Sequence, residues 1–265
     1  MLTLSNGDLI KKAYVSINGK ARKIKDILVG VSGIARHIYR EPLLYSVLSG
    51  SVKTVAGEML ESTVTSYSAD APTGGVKSAS FSGSEYIAYK MPLEFTTATK
   101  FTISGWFKFT TVTDYRSVFI IGGEDLVDNG NFTMRLYRKS TGAVMLACFV
   151  GEGSGGGFYT RETAGGALTA NTWLHIALEV NMPSDSVQLY VNGVKWSFKS
   201  AVTPKTYIGA INLTNATHIY IGTPSSLSSS GSYAQRKPMN FIGSAYNLVV
   251  YDDLYYNDWK FTPHI

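Results

Sequence analysis

The chain has 265 residues, 45% hydrophobic and only 16% charged, with a formal net charge of +5. No run approaches the roughly twenty apolar residues of a membrane-spanning helix, and the opening Met1-Leu-Thr-Leu-Ser-Asn-Gly-Asp8 lacks the basic-then-apolar order of a secretory leader. The single cysteine, Cys148, excludes an intrachain disulfide and a cysteine-based metal site.

The first forty residues hold one short unit written twice. Tyr14-Val-Ser-Ile-Asn-Gly-Lys-Ala-Arg-Lys-Ile24 is followed, fourteen positions on, by Leu28-Val-Gly-Val-Ser-Gly-Ile-Ala-Arg-His-Ile38. Self-similarity at a fixed period marks a copied supersecondary unit. Asn18-Gly19 and Ser32-Gly33 supply the positive φ of two-residue hairpin turns, so each copy predicts a β-hairpin. Such turns place Val15 and Ile17 on one face with Arg22 and Ile24. They place Val29 and Val31 with Ile34, Arg36 and Ile38. Hairpins this small cannot enclose a core. Their apolar faces therefore pack on the rest of the chain or dock onto another protein. Val15, Ile17, Arg22, Val29, Val31 and Arg36 are the candidate assembly anchor. Residues 1–40 carry eight basic against two acidic side chains, net +6, and the remainder is net −1. A basic head suits an acidic protein surface. It alternates with strand apolars and has no aromatic stacking run, so no nucleic-acid partner and no membrane partner are expected.

The body reads as all-β. Phe101-Thr-Ile-Ser-Gly-Trp-Phe-Lys-Phe109 alternates, with Phe101, Ile103, Phe107 and Phe109 on one face. Asn131-Phe-Thr-Met-Arg-Leu-Tyr137 follows, then the apolar run Val144-Met-Leu-Ala-Cys-Phe-Val150 of a buried strand. Trp173-Leu-His-Ile-Ala-Leu-Glu-Val180 and Ser186-Val-Gln-Leu-Tyr-Val191 come next, the latter ending at the hairpin turn Asn192-Gly193. His218-Ile-Tyr-Ile-Gly222 and Ala245-Tyr-Asn-Leu-Val-Val-Tyr251 close the set. Gly-rich and Ser-rich loops separate them, and no long amphipathic helix is predicted. Trp173 and Phe101 are expected to be buried structural residues. The expected division is a basic duplicated hairpin anchor at 1–40 and one β-domain at 41–265.

Six blocks in order make the body resemble the laminin-G-like, concanavalin-A-like jelly-roll family. They are Ala79-Ser-Phe-Ser-Gly-Ser-Glu-Tyr86, Phe101–Trp106, Leu168–Ala177, Val187–Val194, Ile219–Gly222 and Phe241–Asp252, and Pro42-Leu-Leu-Tyr45 resembles the domain's first strand. The resemblance covers about residues 42–262. It implies an antiparallel two-sheet jelly-roll sandwich, preceded here by the small double β-hairpin. Ser84-Glu85 stands where the family often carries an aspartate pair, so a family metal site does not transfer. The duplicated unit in turn resembles units of tailed-bacteriophage structural proteins. That resemblance implies a virion protein made in the bacterial host cytoplasm, with other virion proteins as partners through the hairpins. Capsid, tail, baseplate and fibre locations stay open on the sequence, as does self-association.

The residues give no enzymatic signal. Retaining glycosidases need two carboxyls about 5–5.5 Å apart, and no Glu-x-Asp-x-x-Glu run occurs. Glu58 and Glu61 are three apart and fall on opposite faces of a strand. His37, His175, His218 and His264 show no metal spacing, and His175 is expected to pack within the sandwich. No catalytic residue and no cofactor is assigned. Calcium is the one ion to consider, because Glu124, Asp125 and Asp128 gather oxygen donors in a single loop that also reads as a solvated turn. For host-surface glycan, the aromatic residues expected at loops are Tyr115, Phe158, Tyr159 and Tyr233. The leading expectation is a non-enzymatic virion structural protein that displays a glycan-binding domain. The alternative is a stand-alone carbohydrate-binding or hydrolytic domain.

Overall fold

The computed structural model describes residues 13–17, 20–24, 26–31, 34–40, 42–94, 100–111, 116–122, 133–141, 143–151, 158–162, 168–181, 184, 186–196, 217–222 and 241–254. The duplicated unit forms two hairpins, β1 (Ala13–Ile17) with β2 (Lys20–Ile24), and β3 (Asp26–Val31) with β4 (Ile34–Arg40). Ile17 pairs with Lys20 and Val15 with Arg22, the register that two-residue connections require. Val31 pairs with Ile34 and Val29 with Arg36. One expectation needs correction. Leu28 pairs with His37 and Ile27 with Tyr39, so Ile38 is the extra residue of a bulge and leaves the regular alternation of its hairpin. Each hairpin is a two-stranded sheet of its own, and among the described residues neither pairs with a strand of the body.

The body is an antiparallel sandwich. One sheet of nine strands runs β18 (Val194–Trp196), β17 (Ser186–Val191), β16 (Trp173–Asn181), β11 (Lys100–Phe109), β20 (Ile242–Tyr251), β5 (Leu44–Ser46) and β6 (Thr54–Ala56). β9 (Ser78–Ser82) also pairs with β20, and β8 (Tyr67–Ser68) pairs with β9. The second sheet has seven strands in the order β15 (Phe158–Glu162), β14 (Ala143–Gly151), β13 (Thr133–Thr141), β12 (Arg116–Gly122), β19 (His218–Gly222), β10 (Tyr86–Lys90) and β7 (Met59–Ser62). The all-β jelly-roll expectation is met, and all six sequence blocks fall on strands in the expected order.

The core lies between the sheets. Phe101, Ile103, Phe107 and Phe109 of β11 and Leu174, Ile176, Leu178 and Val180 of β16 meet Ile87 and Tyr89 of β10, Phe119 and Ile121 of β12, and Ile219 and Ile221 of β19. Phe241, just before β20, gathers the aromatic part: its ring sits edge-on to Phe81, Phe107 and Phe109 at 5.1, 6.0 and 5.8 Å between centroids. The nine-stranded sheet is also buried over much of its second face, where Thr102, Ser104, His175, Glu179, Tyr190 and Tyr251 lie.

Gly243 shows why the sequence needs glycine at a tight crossing. It pairs with Phe109 and has φ +150°, and an added Cβ would run into the Lys108 carbonyl oxygen. Replacing Gly243 by alanine is expected to cost roughly 1–3 kcal/mol in backbone strain alone, read as a lower denaturation midpoint.

Candidate functional site

Two surfaces bring chemistry-bearing side chains together. The first is the outer face of the seven-stranded sheet. Ala88 of β10 pairs with Tyr220 of β19, which pairs with Ile120 of β12. With Tyr86 these residues form an apolar cluster separate from the main core. The His218 ring lies flat against Tyr220, 5.3 Å between centroids and 7° from parallel. Its Nδ1 is 2.7 Å from Thr217 Oγ1. The Tyr86 phenol is pushed up to about 12, first by burial and then by the Glu61 carboxylate beside it. Gly222 stands opposite Tyr86 with φ +74°, and no Cβ would fit against Glu85 there. Lys90 and Glu58 close the edge with an ion pair of 2.9 Å, more than half exposed on both sides and worth little in stability.

The register carries this face outward across the sheet. Ile120 pairs with Arg135, Arg135 with Phe149, and Phe149 with Thr160. Phe158 pairs with Gly151 on the edge strand β15, two positions from Thr160. Tyr159, on the same strand, pairs with Val150.

The second surface is a corner of the nine-stranded sheet. Trp173 of β16 and Lys108 of β11 are direct cross-strand partners. Asp70, in the segment after β8, meets both. Trp173 Nε1–H donates to Asp70 Oδ1 at 2.9 Å, and Lys108 Nζ donates to Asp70 Oδ2. The Lys108 ammonium stands 5.6 Å from the centre of the Trp173 ring. Hydrogen bonds from Lys108 and then Trp173 hold the Asp70 carboxyl below its ordinary value of 3.8. Trp173 is therefore half-buried and hydrogen-bonded at the surface, not enclosed in the core as expected, whereas Phe101 is fully buried as expected.

Asp70 has a depressed folded-state pKa, so its contribution to stability is present above 3.8 and fades as pH falls through the lower folded value. The group is half exposed, so solvent screening keeps the contribution small. The stability difference between the parent and Asp70→Asn is expected to shrink as pH is lowered below 3.8, measured by denaturant titration at a series of pH values.

The loop at Ser84-Glu85 is self-contained. Burial opposes ionisation of Glu85, but donors from the Ser82 and Ser84 backbone and the Ser82 hydroxyl outweigh it and lower the pKa. Among the described residues, no three His, Cys, Asp or Glu side chains are placed to hold a metal ion. Glu124, Asp125 and Asp128 lie outside the described residues, as do Tyr115 and Tyr233. The anchor residues Val15, Ile17, Arg22, Val29, Val31 and Arg36 sit on β1 to β4. Sequence reading missed Tyr86, Tyr220 and His218. Their signal was the alternation Tyr86-x-Ala88-x-Lys90 and His218-x-Tyr220. It missed the Asp70 contact altogether, because 103 residues separate Asp70 from Trp173.

The sequence profile of the laminin G type 3 family, within the concanavalin A-like lectin/glucanases superfamily, matches residues 81–234. The chain belongs to this superfamily. Among curated proteins no sequence matches it. Solved structures are similar to it at low identity. Domain 4 of AbnA, an extracellular arabinanase from Geobacillus stearothermophilus, in complex with arabinotriose, is 21% identical with a TM-score of 0.44, covering 78% of this chain and 80% of that one. The CBM40 of the Ruminococcus gnavus IT-sialidase, bound to α2,3 sialyllactose, is 18% identical with a TM-score of 0.45, covering 74% and 92%. A heptameric SAP-like pentraxin from Limulus polyphemus is 16% identical with a TM-score of 0.45, covering 66% and 75%.

Proposed function

We propose that this lectin/glucanase-type sandwich is the displayed part of a non-enzymatic bacteriophage virion protein, anchored to capsid or tail by its N-terminal hairpins. The observation that carries the reading is that, among the described residues, the hairpin strands pair only with each other. Among the described residues they contribute no strand to either body sheet, yet residues 1–40 hold the whole positive charge excess of the chain. A basic, strand-rich head that does not complete the body's sheets suits docking on an acidic surface of another protein. The phage context comes from the likeness of the duplicated unit to tailed-phage structural proteins.

The sandwich then faces the host and binds glycan on the seven-stranded sheet. His218 and Tyr86 are only partly buried and supply ring surface above the buried Tyr220, Ala88 and Ile120, with Glu61 beside the Tyr86 phenol. An apolar floor with a few placed polar groups is the general form of a ligand site. Two measurements test the reading. Mass spectrometry of purified particles should find the protein in the virion, and a glycan panel should show binding without turnover, weakened in Tyr86→Ala. Absence from particles ends the virion reading, and release of cleaved sugar ends the non-enzymatic one.

A further inference from the structure

We propose that the corner formed by Val55, Glu58, Leu60 and Glu61 is a docking site for the N-terminal hairpin head of a second copy of this chain. Among the described residues β6 and β7 each end their sheet, and only Gly57-Glu58 separates them. Both strands carry a bulge. Tyr45 pairs with Ala56 and Ser46 with Thr54, so Val55 is the extra residue of β6. Ala88 pairs with Glu61 and Tyr89 with Met59, so Leu60 is the extra residue of β7. A bulge re-aims a side chain and interrupts the edge. The two bulged residues are both aliphatic, and they stand 42% and 45% exposed with the whole chain in place. The corner is held in shape. Thr54 Oγ1 donates to the Gly57 carbonyl at 2.9 Å, and the Lys90 N–H donates to the Glu58 carbonyl at 2.9 Å. Gly57 has φ +75°, and an added Cβ would run into Leu44. Met59 packs against the core. A partner therefore meets a surface with little freedom left to lose.

The chemistry of the corner selects its occupant. The bulges break the regular row of backbone groups, so plain strand-on-strand pairing of two such edges is disfavoured. What remains is an aliphatic pair with the exposed glutamates Glu58 and Glu61 around Leu60, Glu58 being shared with Lys90. Its complement is an apolar strip bordered by cations. The head carries that pattern twice, with Val15 opposite Arg22 and Val29 opposite Arg36. Residues 1–40 are net +6 and the remainder net −1, so heads repel one another and are drawn to the body. The chain's own residues leave Val55 and Leu60 open, so the docked head comes from another copy. Such a contact is heterologous and joins copies head to corner, in a ring or an open row. The inference takes from the reading above only that the head docks on an acidic surface.

Sedimentation velocity of the full chain, over about 1–100 μM and at low and high salt, tests the site. Self-association that rises with concentration and falls with salt is expected. Leu60→Lys sets a cation against the basic head. Arg22→Glu combined with Arg36→Glu sets anions against the corner. Each variant is expected to weaken association at least about tenfold, and thermal melting checks that each is folded. Should Leu60→Lys fail to fold, Val55→Lys takes its place. Mixing the two variants decides the geometry, because the Leu60→Lys chain keeps its head and the arginine variant keeps its corner. One-to-one complexes and nothing larger are expected from the mixture. A parent that stays monomeric throughout, a Leu60→Lys chain that associates like the parent, or a mixture that stays monomeric would overturn the site. Monomeric parent protein that is nonetheless found in particles ends this inference and leaves the virion reading standing.

Discussion

Replacing Phe241 with alanine is expected to lower folding stability by about 3–5 kcal/mol. Phe241 is fully buried, and three other phenylalanine rings close on it edge-first, from β9 and β11. No smaller side chain can keep all three contacts, and the rigid strands around the site limit how far the cavity collapses. The loss is a large fraction of the roughly 5–15 kcal/mol that holds a typical domain together. Urea titration of the parent and the variant measures it directly. A shift below about 1 kcal/mol, the size of a surface substitution's effect, would mean that the ring is not the centre of the packing. Trp173→Ala gives the contrast. Trp173 is half-buried and touches a surface carboxylate, so its removal should cost clearly less than that of Phe241.

The difference between these two aromatics shows what the sequence could and could not convey. Phe101, Ile103, Phe107 and Phe109 alternate, and period-2 alternation is a direct reading of which face is buried. β16, β19 and β20 are legible instead as strand-like runs between turn residues. Alternation failed at the ends of strands. Trp173 looked like a core residue because tryptophan before an apolar run usually is one, and only the tertiary approach of Asp70 brings it to the surface as a hydrogen-bond donor. Alternation also broke where the ladder itself breaks: Ile38 is expelled by a bulge that no residue type announces. The second face of the nine-stranded sheet shows a further limit. Ala245 to Tyr251 is buried throughout, and a strand buried on both faces loses the polar alternation that would have said which side faces outward. The grouping of Tyr86, Glu61 and Tyr220 was invisible for a related reason. Glu61, Ala88 and Tyr220 become neighbours only through strand order β7, β10, β19, which is long-range topology.

Deleting residues 1–40 should leave a folded sandwich that no longer enters particles. The structural half of this expectation rests on where the body begins. Pro42 is buried, the Leu43 N–H donates to the Val250 carbonyl at 2.8 Å, and β5 follows at once between β20 and β6. The cut falls before all of these contacts, and the hairpins remove no strand from either sheet. The truncated chain is therefore expected to melt close to the parent. The functional half rests on the head's composition. Val15, Ile17, Val29 and Val31 are too many apolar side chains for units that enclose no core, and each forgoes roughly 1.5–3 kcal/mol when left in water. Arg22 and Arg36 sit directly opposite Val15 and Val29 in the ladders, so charge borders the apolar strip in both copies. An acidic partner surface would gain burial from the strip and speed of encounter from the arginines, the second effect fading with salt. Incorporation is measured by mass spectrometry of particles from cells carrying the truncated gene, and stability by thermal melting of the purified protein. Truncated protein found in particles at the parent's level would defeat the anchoring role. A large fall in melting temperature would instead show that the hairpins belong to the fold of the sandwich.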